Sequence, residues 1–173
     1  MNPTNVIYGG FIVITVVGAL AHLLISRQTL SLHQVAEIVL TWTFVLLIGA
    51  PGLFSGMFHV FNPEAAAAAI GWQVSPFQRE VGFGDLGIGL VGVLSARLRG
   101  LFWWAAGIWS VVFFGGAAVG HVIEQQATGN FAPGNAGVVF WLDIIVPLLL
   151  VVLLPLYQVT TDRPVAREAA QPV

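Results

Sequence analysis

The chain has no cysteine and no lysine, and only 8% of its 173 residues are charged. Without cysteine there are no disulfides, no thiolate metal ligands and no thiol nucleophile. A soluble domain keeps its surface wet with roughly a quarter of its residues charged. This chain falls far short of that, so most of its surface must face something other than water. Six arginines, eight acids and a formal net charge of −2 leave no basic run, which excludes a nucleic-acid partner. No phosphate loop, dinucleotide-binding glycine pattern or Ser-His-Asp arrangement is present, so no catalytic residue is assigned.

Apolar residues make up 57% of the chain, and they fall into long runs. A bilayer core takes about 20 apolar residues per helix. Five segments meet or approach that length: 6–25, 35–60, 80–96, 101–123 and 136–157. The expected fold is an all-α integral membrane bundle of about five transmembrane helices, a single domain over 1–157, followed by a polar, disordered tail over 158–173. The third segment is the shortest and the richest in glycine. The first is read as an uncleaved helix, because Met1–Gly10 carries no basic residue of the kind that opens a leader peptide.

Arginine sets the expected orientation. Arg27, Arg97, Arg99, Arg163 and Arg167 fall on one side of a five-span topology, and only Arg79 falls on the other. The excess of positive charge on cytoplasmic loops then puts the N-terminus outside and the C-terminus in the cytoplasm. Trp103, Trp104, Trp141 and Tyr157 lie where interfacial aromatics are expected. In "FNPEAAAAAIGW", Asn62 suits an N-cap, Pro63 the first helical position and Gly71 a stop, so this stretch reads as a short surface helix.

On this topology the ionisable groups His59, Glu80, Asp85, His121, Glu124 and Asp143 all gather at the outer ends of spans 2 to 5. Carboxylates inside a membrane cost about 2.5 kcal/mol or more each, so they face the bundle interior and have a partner or a task. Asp85 and Asp143 lie deepest. Small residues repeat at helical spacing beside them, as Gly49, Gly52 and Gly56 leading to His59, and as Gly82, Gly89 and Gly92 around Asp85. Such faces let membrane helices approach closely. Ser110, Phe114, Ala117, His121 and Glu124 share a face of span 4, whereas Glu80 sits about 140° around from Asp85. Pro51 is expected to kink span 2 below His59.

Two histidines and up to four carboxylates form an all-nitrogen-and-oxygen ligand set suited to Zn, Mn or Fe. The metal ligands expected are His59, His121, Glu124, Asp85, Asp143 and Glu80. The turn-rich loop "TGNFAPGNAG", with Asn130 and Asn135, and the neighbouring Arg79 would shape an entrance for a small or lipid-like substrate. Read without metal, the same residues make a proton-linked small-molecule carrier, or a non-catalytic membrane subunit in which they only fix helix packing. The bilayer is the expected partner in every reading, and a homo-oligomer is compatible with each.

At "SPFQREVGFGDLGIGLVGVLS" and "GHVIEQQATGNFAPGNAGVVFWLDIIVP" the sequence resembles an uncharacterised family of small bacterial multi-pass membrane proteins, and more distantly the DoxX-type small membrane proteins. The resemblance covers about residues 50–150. It implies a bacterial inner-membrane location and transfers no site residues.

Overall fold

The computed structural model describes residues 2–26 and 29–161, and their regular structure is helical throughout. Asn2 caps the first helix through its side chain, which accepts from the Thr4 amide, and Pro3 follows at the first helical position. Helix α1 then runs Pro3–Ile25. Ser31 and Gln34 form a reciprocal capping box that opens α2, Leu32–Trp42. The helix continues through a π-helical stretch, Thr43–Gly49, into α3, Ala50–Phe61.

Pro51 explains the π-helical stretch. Its ring has no N–H and crowds the carbonyl one α-turn back, so the preceding turns widen, and the Ala50 amide bonds the Val45 carbonyl five residues earlier. The kink expected at Pro51 is therefore taken up as a wider turn rather than a break.

The short helix α4, Pro63–Ile70, lies where the sequence places it, and Gly71 ends it with a left-handed φ of 78°. Asn62 does not cap it with its side chain. Helix α5 spans Phe77–Leu94, α6 spans Leu101–Thr128, the single turn α7 spans Pro133–Ala136, and α8 spans Val138–Thr161. Residues 158–161, expected in the tail, belong to α8. Thr160 and Thr161 extend α8 by returning their hydroxyls to the carbonyls of Leu156 and Tyr157. Residues 162–173, like Arg27 and Gln28, lie outside the described residues.

Among the described residues, four stretches are long and apolar enough to cross a membrane: Pro3–Ile25, Leu32–Phe61, Leu101–Thr128 and Pro133–Thr161. Helix α5 is the exception because its 18 residues include Arg79, Glu80 and Asp85. It nevertheless runs between the same two ends of the bundle as the others. At one end, Asn5 of α1 accepts from the Val138 amide of α8, and Asn130 donates to the Ile70 carbonyl at the close of α4. At the opposite end, the Trp103 indole donates to the Ser95 carbonyl just beyond α5 (2.8 Å), and His33 stacks on Tyr157 at 4.6 Å. Arg99 pairs with Glu37 there and lies over the Trp103 ring. Trp103 is fully buried, so it closes the α5–α6 turn from inside rather than anchoring an interface.

Helices α3 and α5 meet backbone to backbone through the small residues read from the sequence. A Cβ added to Gly52 would lie 2.8 Å from Gly89 Cα, and one on Gly56 would lie 2.7 Å from the Gly82 carbonyl oxygen. The apolar core sits toward the opposite end from α4, around Leu40, Phe44, Ile48, Ile88, Leu150 and Leu154. Outside it, Val13, Val17, Leu24, Val112, Leu148 and Val152 are all more than half exposed. An apolar outer surface on this scale is what a helix bundle shows to lipid.

Candidate functional site: a polar-lined cavity

Above the apolar core, a cavity of about 850 Å³ opens between α1, α3, α4, α5, α6 and α8. Its walls are mostly alanine, glycine, aliphatic and aromatic residues. Among them stand Tyr8, Ser55, His59, Gln78, Asp85, His121 and Asp143. His59, Gln78, Asp85, His121 and Asp143 are each at least nine-tenths buried.

One polar unit joins α6, α7 and α8. The Asn135 side chain donates from Nδ2 to the Asn130 carbonyl (2.7 Å), which turns its Oδ1 toward His121 Nδ1 at 2.6 Å. An amide oxygen can only accept, so Nδ1 carries a proton and donates. The other ring nitrogen, Nε2, then faces Asp143 Oδ2 at 3.4 Å. A proton between these two atoms makes either an imidazolium–carboxylate or an imidazole–carboxylic acid pair, and without it two lone pairs would oppose each other. Trp72 lies 5.9 Å from the His121 ring and Phe140 meets it edge-on. Gln125 donates to the Asn135 carbonyl at 2.8 Å. Asn135 has no exposed surface at all, and it works as a hub.

The second polar unit joins α1, α3 and α5. The Ser55 hydroxyl donates to Asp85 Oδ2 at 2.6 Å, and Tyr8 of α1 lines the cavity with them. One turn beyond Ser55, His59 packs its Cβ over Gly82, and its Nδ1 is buried without a hydrogen-bond partner among the described residues. Gln78 Nε2 is in the same condition.

The structure brings His59, Asp85, His121 and Asp143 around one space, but the six-residue metal centre expected from the sequence does not assemble among the described residues. Among the described residues, no group of three or more His, Asp or Glu comes together as a metal site. Asp85 is engaged by a serine, and His121 and Asp143 by each other. Glu124 lies outside the cavity lining, because α6 continues to Thr128, whose hydroxyl binds the Glu124 carboxylate at 3.0 Å. Glu80 and Arg79 are exposed and also outside the lining, as the angular offset of Glu80 from Asp85 foretells.

The entrance residues divide in the same way. Asn130 ties the loop to the last carbonyls of α4, while Asn135 orients His121. Tyr8, Ser55, Trp72 and Gln78 are missed by the sequence reading. Ser55 alone had a usable signal, since it lies four residues before His59 and so on the same helical face.

Among the described residues the regular structure is all-helical, with four helices long and apolar enough to cross a membrane and a His/Asp-lined cavity between them, the character of a membrane protein. Residues 5–163 match the model of a family described as "Family of unknown function (DUF6790)", and the chain belongs to that family. This agrees with the resemblance to an uncharacterised family, and it carries neither the DoxX likeness nor a bacterial origin. No curated protein and no solved structure matches the chain.

Proposed function

We propose that this protein crosses the membrane five times, with its N-terminus outside and its C-terminus in the cytoplasm, and that its cavity takes up a small lipid-soluble molecule. The cavity carries this reading. Ligand sites typically have volumes of about 300–1,000 Å³, largely apolar walls and a few convergent polar groups. A space of about 850 Å³ with Asp85, His59 and the His121–Asp143 pair on its walls has all three properties. The five-span topology is supported by the end-to-end run of α5 and by Arg97 and Arg99 lying at the opposite end from Arg79. The bacterial inner membrane is the location proposed with it.

The test fills the cavity. Ala117 lines it from α6, and Ala117→Trp places an indole in the space. Native mass spectrometry of protein released gently from membranes should find a lipid-soluble molecule on the wild type and none on the variant. Equal occupancy of the two proteins, or an empty wild type, would sink the reading.

Zn, Mn or Fe is a second reading of the same residues, favoured by the unpartnered His59 Nδ1. It requires the His121–Asp143 pair to open toward His59. Elemental analysis of the purified protein decides it. Stoichiometric metal that disappears in His59→Ala supports this reading, and metal unchanged in that variant excludes it.

A further inference from the structure

The cavity has a sign. Asp85 and Asp143 both line it, from α5 and α8, and no arginine is among its lining residues. The chain has no lysine, and Arg79, the nearest arginine in sequence to these walls, is exposed outside them. Of the two acids, Asp143 already has a basic partner in His121. Asp85 has only the Ser55 hydroxyl among the described residues, and it shares the cavity wall with Asp143. A buried carboxylate is held by a cation or neutralised by a proton, because its own desolvation is too costly to leave unanswered.

The remaining walls suit a positive charge as well. Tyr8, Phe54, Phe58, Trp72, Phe113 and Phe114 all border the cavity. Aromatic faces carry negative potential and attract ammonium-like groups, more strongly where water is excluded. An anionic lipid head would meet two acids and no fixed cation. A neutral molecule would use the apolar walls and leave Asp85 to be neutralised by a proton alone.

Resting on the cavity reading above, we propose that the ligand is a lipophilic organic cation, with Asp85 as its counter-ion. Asp85 contributes the negative charge, the aromatic walls surround the cation's apolar body, and the His121–Asp143 pair stays closed on itself.

Three probes of similar shape and different charge test this: tetraphenylphosphonium, tetraphenylborate and neutral triphenylphosphine oxide. Each is titrated into the purified full-length protein by calorimetry. The cation should bind at least about tenfold tighter than the neutral probe, and the anion should bind weakest. Asp85→Asn should weaken cation binding by at least about tenfold, the order of loss expected when one partner of a buried charge pair is removed. Asp85→Glu, which keeps the charge, should retain it.

If Asp85→Asn fails to fold, the probe order on the wild type and the Asp85→Glu result still decide. Neutral or anionic probe binding as tight as the cation's would overturn the inference and leave the cavity reading standing. Cation binding indifferent to Asp85→Asn would overturn the assignment of the counter-ion. If none of the three probes binds, the cavity reading fails with it.

Discussion

Gly89→Ala is expected to prevent the bundle from assembling, while Gly87→Ala, two residues away on the same helix, leaves it intact. A Cβ on Gly89 would press on the backbone nitrogen of Leu53, and it would lie 2.8 Å from the Gly52 carbonyl carbon and 3.0 Å from the Gly49 oxygen. All three neighbours are backbone atoms, so no side chain can turn aside, and α3 and α5 must separate as rigid rods. Overpacking in a core costs about 1–3 kcal/mol even when side chains adjust. Here the cost falls on the contact that brings Ser55 to Asp85, and the site goes with it. A Cβ on Gly87 meets nothing within 4 Å. The yield of monodisperse protein in detergent and its thermal midpoint provide the comparison. Equal behaviour of the two variants would mean that the helices are not in backbone contact.

Asn135→Ala should be the second large effect. The side chain is fully buried and joins the His121 ring to the Asn130 carbonyl. Truncation leaves the His121 Nδ1 proton and the Asn130 carbonyl oxygen without partners. Buried groups orphaned in this way cost about 1–3 kcal/mol each, so a loss of about 2–6 kcal/mol follows. Gln125→Ala removes a single bond, to the Asn135 carbonyl, and should cost about 1 kcal/mol. Unfolding titrations of the two variants should preserve that order. If Gln125→Ala proved the more damaging, Asn135 would not be the hub.

These two sites show what could be read from the chain and what could not. The rhythm of Gly49, Gly52 and Gly56 against Gly82, Gly89 and Gly92 is visible in sequence because helical spacing fixes which residues share a face. Depth along an apolar run likewise singles out Asp85 and Asp143. Neither property says which helix lies beside which. Ser55 and Tyr8 look like ordinary members of apolar runs until α1 and α3 bring them to Asp85. Asn135 reads as part of an entrance because a turn-rich loop is normally solvent-facing, yet here the loop folds back and buries it. Glu124 shares a face with His121, but facing the same way is not reaching the same point. Its helix has climbed another turn by then, and a threonine next to it is the closer partner. Trp103 misleads for the opposite reason. Tryptophan at a helix start suggests an interfacial anchor, whereas the fold places it in the core.

The π-helical stretch between α2 and α3 has a consequence for chain length. An α-helix turns about 100° with each residue, so losing one residue anywhere in it swings everything downstream to another face. The widened turns of Thr43–Gly49 hold more residues than the same rise of α-helix does. One residue lost there can be absorbed by tightening those turns, with Ser55 and His59 kept aimed at the cavity. The same deletion between Gly52 and Gly56 has no such slack and would turn His59 away. The long second helix therefore contains a short interval where a one-residue deletion is silent for the site, and it ends just before the residues that could least tolerate one.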